Sequence, residues 1–267
     1  MSDSIYLVEG CKRLIIIPFA DFKPEQKRAK QLKEFLININ KLVSKNCNIQ
    51  IVIAEQVLPF DYFNRGQLLN AGLKWFITEF GNPEFIIMHD VDMLPDKTLF
   101  NEYLEFNQPI SLVPQDAEYR KKYGRINLSA GGGIFGLPFK LYIDANGYPN
   151  DLWNWGGEDD AFSKRLDKIH LNKFSRVRKG HIKHIDIQRK SHQSKMEYLR
   201  KNKIRSMMVH ENLEKDNINW MNNGFKQLKI NPKEVKTKGC IHHIKFELDN
   251  IGLIESIEHN EKIYKEL

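Results

Sequence analysis

The stretch EFIIMHDVD, residues 84–92, decides the fold, because a short apolar run ends there in two aspartates. It follows two other apolar segments, and the chain between them has the 3.6-residue periodicity of amphipathic helices. The five predicted elements are a strand at 13–19, a helix at 23–45, a strand at 49–56, a helix at 63–80 and the strand at 84–92. This β-α-β-α-β order predicts an α/β fold with a Rossmann-like, mostly parallel central sheet, whose ligands bind at the carboxyl ends of the strands.

The second half of the chain carries weaker signals of the same kinds. Its predicted elements are strands at 109–114, 132–137, near 174–178 and at 240–248, a helix that begins within 157–171, and a helix at 206–221. In 157–171 acidic residues come first and basic residues last, an order that complements the dipole of a helix.

The charge of the chain is unevenly distributed. Its 267 residues carry a net charge of +7 and are 41% hydrophobic, which is enough for a sizeable core. Between Lys164 and Arg205, fifteen Lys or Arg residues stand against three acids. Such a run is typical of a solvated helical face, and a phosphate-bearing ligand or a nucleic acid are the other interpretations. Few aromatic residues interrupt the run, which disfavours base stacking, so we expect no nucleic-acid partner.

Three cysteines, Cys11, Cys47 and Cys240, are far apart and odd in number. This pattern predicts reduced thiols of an intracellular compartment rather than a disulfide framework or a zinc site. The sequence shows neither a signal-peptide pattern at its start nor an apolar run of 18 residues. We therefore expect no transmembrane segment.

Asp90 and Asp92 form the first constellation that could carry chemistry. Alternation along the strand points both carboxylates the same way at its carboxyl end. Carboxylate oxygens suit Mg²⁺ or Mn²⁺, and a diphosphate can complete the coordination shell. An acidic turn after a strand is the structural alternative.

The segment HIKH, residues 181–184, places two imidazoles three positions apart. Imidazole ligands shift the preference of a site from Mg²⁺ toward Mn²⁺. The alternative is that the pair is incidental in a chain with nine histidines, in which His210, His242 and His243 compete as ligands.

The segment WNWGGEDD, residues 153–160, combines two tryptophans, two glycines and three acids. Tryptophan faces suit the C–H surface of a sugar, and glycines let the backbone approach a ligand closely. Crowded carboxylates repel one another, so one of them is expected to have a raised pKa and to transfer protons. A helix N-terminus with core tryptophans is an equally weighted alternative.

The segment FNRG, residues 63–66, precedes or begins a predicted helix. The forked guanidinium of Arg65 could bind a phosphate, and Phe63 could flank a base. A surface arginine and a core phenylalanine are the structural alternative.

These segments occur in an order that identifies a family. IIIPF, FNRGQLLNAG, FIIMHDVDMLP, GGGIFGLP, WNWGGEDD and HIKH together resemble the β-1,4-galactosyltransferases, the inverting family 7 glycosyltransferases of GT-A fold. Sugar-transfer domains of chondroitin-type polymerases share much of the pattern. The resemblance covers about residues 14–185.

The resemblance implies a metal-dependent, inverting enzyme that moves a hexose or N-acetylhexosamine from a UDP-sugar to a glycan hydroxyl with β linkage. Asp159 is then the general base, and the metal, Mn²⁺ with Mg²⁺ as the alternative, is bound by Asp92, His181 and His184. The residues implied to bind the donor are Pro18, Phe19, Phe63, Arg65, Asp90, Val91, Asp92, Trp155 and Gly157. Those implied to bind the acceptor are Trp155, Glu158, Asp159 and Asp160.

The resemblance also implies one catalytic domain over 13–250, after an N-terminal extension over 1–12 and before a tail over 251–267. Its nucleotide-binding half is 13–115 and its acceptor half is 116–250, with a mobile loop at about 185–205 that covers the diphosphate.

The chain departs from the family pattern at two points that bear on its role. LSAGGG, residues 128–133, has only small residues where an aromatic is common, which makes UDP-GalNAc and UDP-GlcNAc as plausible as UDP-galactose. The membrane stem and disulfides of animal members are absent, so we expect a cytoplasmic or host-cell-cytoplasmic enzyme of a bacterial or viral glycan pathway rather than a Golgi enzyme. A non-catalytic nucleotide-sugar or glycan-binding module of the same fold is the alternative function.

Overall fold

The fold was determined from a computed structural model of the chain. It describes residues 12–22, 27–43, 48–59, 62–114, 132–154, 157–171, 174–185 and 209–258.

The first half of the chain forms the alternating unit that the sequence predicts. Its elements are β1 (Arg13–Phe19), α1 (Arg28–Leu42), β2 (Ile49–Leu58), α2 (Arg65–Phe80) and β3 (Phe85–His89). β1 lies between β2 and β3 and is parallel to both. The carboxyl ends of these three strands therefore lie at the same edge of the sheet, which we call the carboxyl edge.

The remaining elements complete the sheet and cover it. They are β4 (Met93–Pro95), α3 (Lys97–Glu105), β5 (Ile110–Ser111), β6 (Ile134–Pro138), α4 (Phe139–Asp144), α5 (Glu158–Lys168), β7 (Ser175–Arg176), β8 (Ile182–His184), α6 (209–219), β9 (Asn231–Lys238), β10 (Ile241–Glu247) and α7 (253–258). The main sheet has the order β7-β5-β6-β3-β1-β2-β10-β9, and β4 pairs with β8 in a separate small sheet.

Two apolar layers pack on the two faces of the main sheet. Leu14 and Ile16 of β1 belong to the layer on the α2 face, whereas Ile15 and Ile17 belong to the layer on the α1 face. Period-two alternation along a strand that is buried on both sides produces this division and explains the continuous apolar run of β1.

Gly72 brings α2 unusually close to the sheet. A Cβ at this position would lie 3.0–3.2 Å from side-chain atoms of Ile16, Val52 and Ala54. The missing side chain lets α2 pack directly on β1 and β2. Its first residue, Arg65, then stands at the carboxyl edge.

The structure differs from the sequence expectations mainly in short or polar elements. α1 begins at Arg28 rather than at 23, and β3 ends at His89, so that Asp90 and Asp92 lie in a turn. The sequence predicted β10, at 240–248, but not β4, β8 or β9, because three-residue strands and the polar strand β9 lack an apolar period.

The start of the expected C-terminal tail is part of the domain. Leu253 is buried in the core, and the indole N–H of Trp153 donates to the carbonyl of Ile251 at 2.7 Å. Among the described residues, no helix is long and apolar enough to cross a lipid bilayer.

Candidate active site

The turn that follows β3 carries Asp90, Val91 and Asp92 at the carboxyl edge. Val91 is buried against the α1 face, so the two aspartates flank an apolar anchor. His89, also buried, fixes the turn: its Nδ1 lies 2.9 Å from the carbonyl of Asp90 and its Nε2 lies 3.0 Å from the hydroxyl of Tyr103. Since a carbonyl only accepts, Nδ1 carries the hydrogen. Burial lowers the pKa of His89 to about 4, so this ring is neutral.

Arg65 connects the turn to the acidic helix α5. Its Nη1 donates to Oδ1 of Asp159 at 2.7 Å, and its Nε and Nη2 donate to Oδ1 of Asp90 at 3.2 and 3.1 Å. The arginine is only 8% exposed, and its guanidinium lies 5.7 Å from the ring centre of Tyr148. The sequence assigned Arg65 to the nucleotide and Asp159 to the acceptor side, and the structure joins them directly.

The charges of this cluster shift one another. Burial lowers the pKa of Arg65, but the carboxylates of Asp159 and Asp90 outweigh it, and that pKa lies well above its ordinary value. Burial raises the pKa of Asp159 well above its ordinary value, and the carboxylates of Glu158 and Asp90 add to this shift against the opposing charge of Arg65. Burial likewise raises the pKa of Glu158. A carboxylate with a raised pKa is a stronger base near neutral pH.

Helix α5 presents its three acids from its first turn. Gly157 precedes the helix in the left-handed region with φ of +82°, and a Cβ there would lie 2.8 Å from Cγ1 of Val209. Both facts require glycine at this position. Trp155, assigned to donor and acceptor, lies outside the described residues.

The opposite end of α5 is anchored by a buried ion pair. Arg165 is fully buried and donates to both carboxylate oxygens of Asp216 in α6, and also to the carbonyls of Asn146, Gly147 and Asn223. Sequence reasoning missed Arg165, because nothing within a basic run marks which residue is buried.

Asp92 lies in a second cluster, between α1 and β8. Its Oδ2 is 3.7 Å from Nε2 of His184 and 3.6 Å from a guanidinium nitrogen of Arg28. The pairing of β8 with β4 places His184 opposite Met93, and the amide of Ile185 donates to the Asp92 carbonyl at 2.9 Å. Arg28 was missed because it is one of several basic residues around the start of a predicted helix.

His181 does not join this cluster. It lies beyond the other end of β8, where its carbonyl accepts from the amide of Asp96 at 3.0 Å. In an extended segment, side chains three positions apart point to opposite faces. No group of three or more His, Cys, Asp or Glu residues suited to a metal occurs among the described residues. The structure therefore brings Asp92 and His184 together but does not reproduce the expected three-residue metal site.

The other expected donor residues line the same edge. Pro18 and Phe19 end β1, and Phe19 is buried. Phe63 is partly buried in the α2-face layer. Its amide donates to the side-chain oxygen of Asn154, and its carbonyl accepts from the amide of Asn154. The expected mobile loop at about 185–205 lies outside the described residues except for Ile185.

Two family models match this chain. The N-terminal region of glycosyl transferase group 7 matches residues 9–103, and a model described as the N-terminal domain of galactosyltransferase matches residues 114–198. Together they cover about two thirds of the chain. The chain belongs to the family 7 glycosyltransferases.

Several curated animal proteins are similar to this chain. It is 32% identical over 174 residues to β-1,4-galactosyltransferase 4 of Mus musculus, an alignment that covers 64% of this chain and 48% of the relative. It is 32% identical over 165 residues to xylosylprotein 4-β-galactosyltransferase of Caenorhabditis elegans, which covers 60% of this chain and 52% of the relative. The family-7 chain thus spans about half the length of the curated relatives it matches.

A solved structure supports the fold of the family-7 chain. A mutant of Drosophila β-1,4-galactosyltransferase 7, in complex with manganese, UDP-Gal and xylobiose, matches with a TM-score of 0.62 and 23% identity over 89% of this chain and 94% of that one. This likeness confirms the expected α/β fold of GT-A type.

The expected location of the family-7 chain is wrong. The sequence reasoning placed it in the cytoplasm, in a bacterial or viral pathway, but the relatives that it matches are galactosyltransferases of animals.

Proposed function

We propose that this chain is a metal-dependent, inverting glycosyltransferase that moves a sugar from a UDP-sugar to a glycan hydroxyl with β linkage. The observation that carries the proposal is the contact of Arg65 with both Asp90 and Asp159. It joins the aspartate that follows β3 to Asp159, an acid whose pKa burial raises well above its ordinary value. A scaffold without chemistry has no need for a carboxylate whose pKa is raised and whose orientation is fixed.

Galactose is the donor sugar that the relatives favour. The matched curated proteins are named galactosyltransferases, and the solved Drosophila relative was bound to UDP-Gal. The sequence LSAGGG at 128–133, which has only small residues where family members commonly have an aromatic one, keeps UDP-GalNAc and UDP-GlcNAc within the proposal.

Asp92 and His184 fit a divalent cation of the manganese type. Mixed carboxylate and imidazole donors suit Mn²⁺, and a diphosphate supplies the remaining oxygens in sites of this kind. When bound, such an ion stabilises the negative charge that develops on the leaving diphosphate. Arg28, which contacts Asp92, adds a positive charge on the same side.

Asp159 acts as the general base. Its carboxylate takes the proton from the acceptor hydroxyl while that oxygen attacks the anomeric carbon, and UDP leaves from the opposite face, which inverts the configuration. Arg65 holds Asp159 in one orientation. Glu158 and Asp160, in the same helical turn, bind acceptor hydroxyls, and the family resemblance assigns Trp155 to the donor and the acceptor.

The test is a donor screen that measures UDP release. The chain is incubated with Mn²⁺, a glycan acceptor and UDP-Gal, UDP-GalNAc, UDP-GlcNAc or UDP-Glc. We expect release with one of the first three, and a drop of about 10³-fold or more in Asp159→Asn without loss of UDP binding. UDP binding without release from any donor contradicts the proposal and supports the binding module instead. Full activity of Asp159→Asn contradicts the assigned base.

A further inference from the structure

Tyr148 lies against the guanidinium of Arg65, in the segment between α4 and α5. Its side chain is fully buried. Arg65 donates a hydrogen bond to its hydroxyl oxygen, and the guanidinium carbon lies 5.7 Å from its ring centre. Arg65 thus contacts Tyr148 in addition to Asp90 and Asp159.

Tyr148 is fixed by both of the helices that meet at this site. Nδ2 of Asn70, on α2, donates to the carbonyl of Tyr148 at 2.8 Å, and the amide of Tyr148 donates to Oδ1 of Asn70 at 3.2 Å. The ring of Tyr148 stacks on that of Phe162 in α5, with ring centres 4.3 Å apart and an angle of 13° between the planes. The helix that begins with Arg65 and the helix that carries Asp159 therefore set the position of the hydroxyl.

Gly66 lets the segment of Tyr148 approach the start of α2. A Cβ at this position would lie 2.6 Å from the carbonyl oxygen of Pro149 and 3.0 Å from Cβ of Tyr148. A side chain there would push the segment away from the helix. The missing side chain beside Arg65 therefore helps to bring the phenol within hydrogen-bond distance of the guanidinium.

The hydroxyl of Tyr148 is an acceptor for a cation that water barely reaches. Arg65 is only 8% exposed, so an N–H group that loses its acceptor is not readily hydrated, which costs free energy. The five N–H groups of a guanidinium lie in one rigid plane, so an acceptor for one of them also restricts the directions of the others. Because Tyr148 is fully buried, it does not reach a sugar or a nucleotide, and its effect on transfer passes through Arg65.

We propose that Tyr148 is a positioning residue of the transfer reaction, whose hydroxyl orients Arg65 and, through Arg65, the carboxylate of Asp159. The inference rests on the proposed function, in which Asp159 is the general base. It gives the phenol a role in the rate of transfer rather than in the binding of either substrate.

The charges around Asp159 give this role a consequence for the pH dependence. Burial raises the pKa of Asp159, and the positive charge of Arg65 opposes that rise. The other titratable groups that act on Asp159 are acidic: Glu158 and Asp160 on α5, Asp90 after β3, and Tyr148 itself. An Arg65 that is held less well therefore leaves the pKa of Asp159 higher, and the rate rises only at a higher pH.

The experiment measures kcat for UDP release against pH, at saturating Mn²⁺, donor and acceptor, in the wild-type chain and in Tyr148→Phe. Phenylalanine keeps the ring that stacks on Phe162 but removes the hydroxyl. We expect kcat on the plateau to fall about tenfold, as for a weakened hydrogen bond of a charged group. The midpoint of the rise should move to a pH about 0.5 higher, and KM for the donor should stay within about twofold of wild type.

Tyr142→Phe is the matched control. Tyr142 is also fully buried, and its hydroxyl donates to Oδ1 of Asn70 at 2.7 Å. Both variants lose a phenolic hydrogen bond in the same core, but Tyr142→Phe leaves the hydroxyl that Arg65 contacts in place. Its kcat and the midpoint of its pH profile should stay at the wild-type values, whereas thermal melts measure its loss of stability separately.

A double-mutant cycle separates positioning of the base from a general loosening of the site. In Asp159→Asn the base is absent, so its orientation no longer affects the rate. Tyr148→Phe should therefore not lower the residual rate of Asp159→Asn further. A further fall of about tenfold in the double variant would show that Tyr148 acts on something other than the base, and it would overturn the inference.

The failures of the two proposals are distinguishable. If the wild-type chain releases UDP and Asp159→Asn does not, but Tyr148→Phe keeps the wild-type kcat or the wild-type midpoint, the inference is overturned and the proposed function stands. An equal displacement of the midpoint in Tyr142→Phe also overturns the inference alone. If the wild-type chain releases UDP from no donor, the proposed function falls and the inference falls with it.

Discussion

Nη1 of Arg65 lies 2.7 Å from Oδ1 of Asp159, and the same guanidinium holds Asp90. The first residue of α2 therefore connects the turn after β3 with the first turn of α5. Under the proposed function, a change at the turn assigned to the diphosphate would reach the assigned base through this one side chain. Arg65 would then be the residue that links the proposed donor and acceptor sides.

Replacement of Arg65 by lysine should show whether catalysis needs only the positive charge at this position or also the planar guanidinium that contacts Asp90 and Asp159. Lysine keeps the positive charge but has no planar fork, so it cannot bind Asp90 and Asp159 at once. Loss of one charge-assisted hydrogen bond costs about 1.5–3 kcal/mol, which corresponds to a fall in kcat of about 10- to 100-fold. Steady-state transfer kinetics measure the fall, and the exposed Arg178→Lys is the matched control. An unchanged kcat in Arg65→Lys would show that the bridge has no catalytic role.

The rate of transfer should depend on pH in the acidic to neutral range. Burial raises the pKa of Asp159, so a larger fraction of this base is protonated as the pH falls than for an ordinary aspartate, whose pKa is about 3.9. The rate should therefore rise with pH through the raised pKa and then level off. Measurements of kcat at saturating Mn²⁺ and donor isolate this effect from ligand binding. A rate that stays constant down to about pH 4 contradicts the assignment.

The raised pKa of Asp159 also predicts that its contribution to the stability of the fold decreases as the pH rises. Because the folded state raises the pKa of Asp159, it binds this proton more tightly than the unfolded state does. The resulting contribution to the free energy of unfolding is fully present below the pKa that Asp159 has in the unfolded chain. It is lost as the pH rises through the pKa that Asp159 has in the folded protein. Asp159→Asn should therefore gain stability relative to wild type as the pH rises from 5 to 8, which thermal melts at both values measure. A constant difference in Tm would contradict the raised pKa.

Two histidine variants should show which of His181 and His184 binds the proposed metal. His184 contacts Asp92, whereas His181 lies apart from both. His184→Ala should raise the Mn²⁺ concentration for half-maximal activity by about tenfold or more, in line with the loss of one ligand, about 1.4 kcal/mol. His181→Ala is the matched control and should leave that concentration within about twofold of wild type. Equal effects of the two variants would show that both histidines reach the metal.

Arg165→Met should destabilise the fold without touching the candidate site. It leaves Asp216 buried without its partner, and the loss of one member of a buried ion pair costs about 3–5 kcal/mol. For a chain of this size each kcal/mol lowers Tm by about 2–4 °C, so a decrease near 10 °C is expected. Lys164→Met, an exposed change one residue earlier on α5, should alter Tm by no more than about 2 °C. Differential scanning calorimetry measures the Tm of both variants. Equal Tm values would show that the ion pair of Arg165 with Asp216 does not stabilise the fold.

The periodic elements could be predicted from the sequence, because their side chains repeat the geometry of the fold. β1 at 13–19 has the predicted bounds, since a strand that is buried on both faces reads as a nearly continuous apolar run. α2, predicted from 63, begins at Arg65. Family order also predicted that Arg65, Asp90 and Asp159 serve one site, although their separation in the chain leaves no local signal.

What the sequence could not predict depends on contacts between distant segments. The bridge from Arg65 to Asp159 joins residues 94 positions apart. The family resemblance implied that both histidines of HIKH bind the metal, but in an extended segment side chains three positions apart point to opposite faces, which separates His181 from His184. Tyr148 and Arg65 likewise come together only in the folded chain, and no pattern around either residue indicates the other.

The position of β10 determines when this sheet can be completed during synthesis. β10 is parallel to β2 and lies between β2 and β9, although it comes from residues 241–247. Until the ribosome has released that segment, β2 is an open edge with unpaired backbone groups, which can associate with strands of other chains. A chain that stops before residue 241 therefore leaves exposed the strand edge of β2 that β10 covers in the complete sheet.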